Sequence, residues 1–280
     1  MPTAMDAFDG KLIYITGGSS GIGLEMGKIF AARGADLLLM ARGEERLQAA
    51  RQVMEPLRRR NTQRVMTLCM DVSDPRDIRT KMTTALRDYG APDVLISSAG
   101  INTHADRFEN ITDDMFDEVM KVNLYGPRTV IQTLLPAMEP RKGHIVVLSS
   151  AAAFFGMFGY TAYGTSKAAL LGLCDSLRYE LKPRGVTLTV VCPGEVDTPM
   201  NIDEAKTLPP EGRAVKNLSS LMKPEDAARE IVAAIERKRY LFIPGASTRF
   251  LYLLHRLSSG WLTRTTSDAI IRFARRRMRD

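Results

Sequence analysis

The 280-residue chain is 45% hydrophobic and 25% charged, and no apolar run approaches the roughly 18–20 residues that cross a bilayer, so no transmembrane anchor is expected. Its formal charge is +7, yet eight Arg against two Asp from Arg249 onward account for +6 of it, so nucleic-acid binding by the whole domain is not indicated. Residues 1–10 lack the basic and apolar regions of a secretory or transit peptide, which points to work in, or facing, the cytoplasm.

Residues 12–16 predict a short buried strand, followed by a glycine-rich turn and a helix over 22–33 closed by Gly34. The cycle then predicts a strand over 35–41, a helix over 44–60, a strand over 64–71 and a helix over 74–89 capped by Ser73 or Asp74. A strand over 94–98, one or two long helices over 113–138, a strand over 143–149 and a helix over 162–182 follow. Strand 186–192, helix 225–237 and strand 240–243 complete the series. Strands this apolar on both faces belong to a parallel sheet covered by helices. The expectation is therefore an α/β fold: one doubly wound Rossmann domain over residues 1–245, with a seven-stranded parallel sheet.

Two stretches fall outside that rhythm. Residues 197–222 carry Pro199, Pro209, Pro210 and Gly212 in a mostly polar setting and are expected to form an irregular substrate lid. Residues 246–280 form a basic C-terminal extension, with Phe250, Leu253, Leu254, Leu257 and Trp261 in an apolar stripe opposite His255, Arg256 and Ser258. After Asp268, Ile270, Phe273, Ala274 and Met278 interleave with Arg272, Arg275, Arg276, Arg277 and Arg279. Two such amphipathic helices, too short to span, suit an anionic membrane surface, or else pack on the domain or on a partner subunit. Cys69, Cys174 and Cys192 are isolated and read as reduced core thiols; His104, His144 and His255 make no metal-ligand spacing, and no metal is expected.

The first turn reads Thr16-Gly17-Gly18-Ser19-Ser20-Gly21-Ile22-Gly23 between strand and helix. Gly17 permits a tight turn, Gly21 a close approach of a pyrophosphate, and Gly23 close packing of helix on sheet, while the helix N-terminus offers free N–H groups to an anion. At the end of the second strand an acid would bind the ribose of NAD; this chain has Arg42 there and Arg46 one turn on, which suits the 2′-phosphate of NADPH. Asp71-Val72 closes the third strand, where the carboxylate serves either an adenine amino group or a helix cap.

Tyr163 and Lys167 are four residues apart at the start of a helix, hence on one face. The ammonium is expected to lower the phenol's pKa, so that Tyr163 exchanges a proton with a carbonyl or alcohol oxygen. Ser150, at the end of the fifth strand, is placed to hold that oxygen. Asn123 lies inside a helical stretch it does not favour, which implies a tertiary hydrogen bond.

This ordered set of a phosphate turn, Asn123, Ser150, Tyr163 and Lys167 resembles the short-chain dehydrogenase/reductase family over nearly all of residues 10–245. The resemblance implies that the segment Pro193-Gly194-Glu195-Val196-Asp197-Thr198 holds the nicotinamide carboxamide, with Val196 and Thr198 as contacts. It also implies that Ala99 and Gly100 let the cofactor approach, although Ser97-Ser98 stands where the family usually has Asn-Asn. It further implies that Lys167 binds the nicotinamide ribose, that Asn123 orders a proton path, and that the protein forms homodimers or homotetramers. Two local features suggest a hydrophobic carbonyl substrate: the apolar run 151–160 and the C-terminal stripe. Residues 16–23 followed by Ala41-Arg42, the lead-in Phe158-Gly159-Tyr160-Thr161-Ala162 to Tyr163, and Glu180-Leu181-Lys182-Pro183 beyond it resemble the branch of the family that reduces the long-chain keto-amine of sphingolipid synthesis. Steroid, retinoid and 3-ketoacyl substrates remain alternatives, as does a non-catalytic NADP(H) sensor or membrane scaffold, against which the intact Ser150, Tyr163 and Lys167 argue.

Overall fold

In the computed structural model, which describes residues 7–216 and 220–277, each apolar run becomes a strand. These are β1 (Leu12–Thr16), β2 (Asp36–Ala41), β3 (Val65–Cys69), β4 (Val94–Ser97), β5 (His144–Leu148), β6 (Thr187–Val191) and β7 (Leu241–Phe242). They pair in parallel in the order β3-β2-β1-β4-β5-β6-β7, the seven-stranded sheet expected. The winding reverses between β1 and β4, which opens a crevice at the carboxyl ends of the strands.

Helices α1 (Gly21–Ala32), α2 (Glu44–Met54), α3 (Pro75–Tyr89), α4 (Asp113–Met120), α5 (Gly126–Met138) and α6 (Thr161–Leu181) alternate with the first six strands. After β6 come α7 (Pro199–Thr207), α8 (Pro210–Lys216) and α9 (Pro224–Glu236); after β7 come α10 (Ala246–Leu257) and α11 (Trp261–Arg277). Successive side chains of a strand point to opposite faces, and the core divides accordingly. Ile13 and Ile15 pack with Met26 and Phe30 of α1, Leu47 of α2 and Ile231 of α9. Tyr14 and Leu38 pack with Met82 of α3, Leu134 of α5 and Leu170 of α6.

Departures from expectation have local causes. The helix predicted to reach residue 60 ends at Met54 and gives way to a single tight turn over Glu55–Leu57, because Pro56 has no N–H to continue the ladder. Of the two capping candidates Asp74 caps α3, accepting from the Arg76 N–H at 2.8 Å. The stretch over 113–138 is two helices joined by a π turn, Lys121–Tyr125, a widening that recurs at functional sites. Cys69 is only half-buried at the end of β3, whereas Cys174 and Cys192 are buried free thiols.

The lid is not irregular: it folds as α7 and α8, whose Pro199 and Pro210 sit in the first helical turn, where a missing N–H costs nothing. Its two ends are tied together by a bridge between Val196 and Met222, with the Asp197 N–H donating to the Met222 carbonyl at 2.9 Å. In the C-terminal extension the second helix starts at Trp261 rather than after Asp268, following a turn at Gly260 with φ +77°. The stripe of the first helix also divides. Phe250, Leu253, Leu257 and Trp261 are 68%, 54%, 77% and 64% exposed, whereas Leu254 faces the crevice. His255, assigned to the polar side, instead packs edge-on against Phe155, 5.1 Å between ring centres. Met278 and Arg279 of the second stripe, and residues 1–6, lie outside the described residues. Among the described residues no helix is long and apolar enough to cross a membrane.

Candidate active site

The crevice is a cleft of about 630 Å³. Of the positions singled out from sequence, all but Gly23, Asp71 and Asn123 line it. At one end the chain leaves β1 through Gly17, whose φ of +71° suits glycine and where a Cβ would come within 2.8 Å of the Ala99 nitrogen. Gly23 sits behind the turn, and a Cβ there would lie 2.4 Å from the Gly17 carbonyl oxygen, so it allows the close packing of helix on sheet expected of it. Ser19, Ser20, Gly21 and Ile22 face the cleft at the start of α1. The Ser20 side chain makes no capping bond, which leaves the helix's first N–H groups free for an anion.

Arg42 and Arg46 stand exposed on the wall at the end of β2. Asp71 does not line the cleft; its Oδ1 accepts from the Ser73 N–H and hydroxyl, both at 2.9 Å, and closes a local turn ahead of α3. Val72, Ala99 and Gly100 line the middle of the cleft, and Pro193, Gly194, Val196 and Thr198 its opposite side. This set fits a dinucleotide: a side-chain-free turn at a helix N-terminus, two unpaired guanidinium groups for a phosphate, and a small-residue floor.

The reacting groups come from β5 and α6. The Ser149 hydroxyl, donating to the Lys167 carbonyl at 2.9 Å, ties the end of β5 to α6. Ser150 next to it lies in hydrogen-bonding reach of the Tyr163 phenol and accepts from the Ala152 N–H at 3.1 Å. Lys167 Nζ sits 5.6 Å from the centre of the Tyr163 ring and donates to the Leu148 carbonyl at 3.1 Å. Burial brings its pKa from the usual 10.5 down to about 8.

The phenol departs from the expectation. Burial raises its pKa above the usual range, the nearby Ser150 hydroxyl opposes this, and the Glu204 and Glu195 carboxylates push it further up. The Lys167 ammonium, which donates to the Leu148 carbonyl at 3.1 Å, does not offset that rise. Tyr163 is thereby kept as a neutral acid, the form that gives a proton to a ketone oxygen.

Asn123 makes the tertiary hydrogen bonds implied by its position, from within the π turn. Its Oδ1 accepts from the Ile101 N–H at 2.9 Å, and its Nδ2 donates to the Ile101 carbonyl at 2.9 Å and to the Ser166 hydroxyl at 3.0 Å. Ser166 in turn donates to the Tyr163 carbonyl at 2.7 Å, so Asn123 braces the helix that carries Tyr163. A Cβ built on Gly100 would lie 3.2 Å from Asn123 Oδ1 and 3.3 Å from Lys167 Nζ, which puts both groups around one glycine.

The far end of the cleft is built in part from stretches the sequence had marked, the apolar run 151–160 and the C-terminal stripe, and in part from residues it had not, among them Leu251, Leu262, Asn102 and Glu204. Phe155 and Met157 line it together with Leu251 and Leu254 of α10 and Leu262 of α11, so the extension forms part of the wall. The Arg107 and Arg275 guanidinium groups meet Glu211 of α8 at 2.6 and 3.2 Å, fastening α11 to the lid. Asn102, Glu195 and Glu204 also face the cleft. No periodicity marks them in the sequence: α7 mixes Met200, Ile202 and Ala205 with polar residues, yet docking leaves Glu204 as its buried side chain.

Residues 11–209 match the short chain dehydrogenase family. The 3-ketodihydrosphingosine reductase of Bos taurus is 36% identical over 231 residues, covering 81% of this chain and 68% of the relative. The 3-dehydrosphinganine reductase of Danio rerio is 35% identical over 229 residues, covering 80% and 68%. Among solved structures, levodione reductase superposes with a TM-score of 0.78 at 25% identity, over 86% of this chain and 99% of the other.

Proposed function

The chain belongs to the short-chain dehydrogenase/reductase family, oxidoreductases acting on the CH–OH group, and from that premise we propose that it uses NADPH to reduce the ketone of a long-chain lipid, 3-ketodihydrosphingosine to dihydrosphingosine. The observation that carries this reading is one cleft with a neutral phenol at its centre and an apolar wall from two C-terminal helices at its open end. The two relatives named for that reaction support the choice of substrate.

When bound, NADPH supplies the hydride. The N–H groups at the start of α1 would hold its pyrophosphate, and Arg42 and Arg46 its 2′-phosphate, no carboxylate among the described residues lining the cleft at the end of β2. Lys167 would hold the nicotinamide ribose, and Pro193, Gly194, Val196 and Thr198, which line the cleft, the carboxamide. Ser150 fixes the ketone oxygen against Tyr163, which gives its proton as negative charge develops there. Phe155, Met157, Leu251, Leu254 and Leu262 hold the alkyl chain and exclude water.

The outward side of the same C-terminal helices carries the exposed Phe250, Leu253, Leu257 and Trp261 beside arginines of α11. That combination suits an anionic lipid surface, from which a lipid enters between α10 and α11. The test is NADPH oxidation with 3-ketodihydrosphingosine beside steroid, retinoid and 3-ketoacyl panels. Turnover of 3-ketodihydrosphingosine at the highest kcat/KM is expected, and turnover of the other panels alone removes the sphingoid assignment.

A further inference from the structure

The substrate end of the cleft holds a polar cluster with no task in the scheme above. Glu204 of α7 is 5% exposed. Its Oε1 accepts from the Tyr160 phenol and, at 2.5 Å, from Lys216 Nζ, while its Oε2 accepts from Asn102 Nδ2 at 3.0 Å. Lys216 also lies 3.2 Å from Glu195 Oε2 and donates to Asn201 Oδ1. Tyr160, Glu195, Asn201 and Glu204 line the cleft, so the Lys216 ammonium is held by groups that face it. Asp203, also on the wall, is matched by Lys206 at 2.5 Å and drops out of the balance.

Two carboxyl groups face one ammonium in this enclosed corner, and burial raises the Glu195 pKa, as expected of an acid short of a counter-charge. An uncompensated charge out of water is costly to maintain, and natural sites keep one chiefly where a ligand completes it. The pair acts on the reacting centre itself, since Glu204 and Glu195 both hold the Tyr163 proton in place. The rings of Tyr160 and Tyr163 stand edge-on with centres 5.6 Å apart, so a group bound at Glu204 adjoins one bound at Tyr163.

We propose that Glu204, assisted by Glu195, is the specificity-determining site for the ammonium group of an α-amino ketone, which binds where Lys216 Nζ meets Glu204. The amine and the ketone oxygen of such a substrate sit on neighbouring carbons, which matches neighbouring seats at Glu204 and Tyr163. Lys216 is then a tethered stand-in that gives way to the substrate. The inference rests on the keto-amine reading of the previous subsection and adds the group that distinguishes this substrate from neutral lipid ketones.

The experiment measures kcat/KM with NADPH for 3-ketodihydrosphingosine, its N-acetyl derivative and the desamino ketone of equal length, in the full chain. The wild type is expected to favour the free amine by roughly 10- to 100-fold, the value of a hydrogen bond to a charged group. Glu204→Gln should collapse that ratio, chiefly through KM, and Lys216→Met should raise it by removing the internal rival. A lid latch of purely structural importance predicts that both variants weaken all three ketones in proportion, and that result overturns the proposal while the reductase reading stands. Equal turnover of amine and desamino ketones by the wild type overturns it in the same way. If none of the three long-chain ketones is reduced, both readings fall together.

Discussion

Gly17 and Glu204 stand at opposite ends of one cleft, and the two ends are built differently. At the cofactor end the geometry comes from the main chain: a turn without side chains, free N–H groups at a helix start, and small residues that let backbone approach. At the substrate end it comes from side chains delivered by the loop after β4, the lead-in to α6, the lid and the C-terminal helices. A main-chain site tolerates little change and accepts one kind of ligand. A side-chain site assembled from separate segments is the part free to vary, and there one family finds its different substrates.

The sharpest way to break this contrast is at the junction of the two ends. Tyr163→Phe removes the proton donor and is expected to lower kcat by about 1000-fold, with NADPH fluorescence titration reporting whether the cofactor end survives. Full turnover by this variant would end the assignment of Tyr163 as the proton donor.

The buried ammonium is next. An unfolded chain keeps the lysine proton up to its usual 10.5, whereas folded Lys167 gives it up near about 8. Unfolding between those values takes up a proton, so stability should rise with pH across that window, and the penalty for burying the charge is fully present below it. Relative to Lys167→Met, the cofactor-free wild type should gain on the order of 3 kcal/mol between the two limits, read by urea unfolding at neutral and alkaline pH. Parallel pH profiles for the two proteins would contradict the burial of Lys167.

Arg42→Ala should reduce the preference for NADPH over NADH by roughly 10-fold or more, mainly through KM for NADPH. An unchanged ratio would move the 2′-phosphate contact away from the end of β2. The smallest effect belongs to the open end. Leu254→Ala should weaken kcat/KM for a long-chain ketone relative to a short one by about 5-fold, and an equal effect on both would place the alkyl chain elsewhere.

The same contrast explains what could be read in advance. The alternation of strands and helices, the phosphate turn and the spacing of Ser150, Tyr163 and Lys167 are patterns of short range along the chain, and the structure brings the turn and these three side chains together in one cleft. Asn123 announced a tertiary role by sitting in a helix it does not favour, though its partners, Ile101 and Ser166, had no local signature. The lid misled because prolines in a polar stretch suggest a loop, whereas at the first turn of a helix they start one. The direction of the Tyr163 shift was out of reach for a different reason. It is set first by burial of the phenol and then by Glu204 and Glu195, neighbours that only the folded chain brings to Tyr163.

Trp261 is the chain's one tryptophan. It opens α11 with its side chain 64% exposed, next to Leu262 on the cleft wall. Indole emission moves to the blue when its surroundings change from water to hydrocarbon, so native fluorescence reports from a single spot beside the entrance. Vesicles, a lipid substrate or a shift of α11 can each be followed there without attaching a dye.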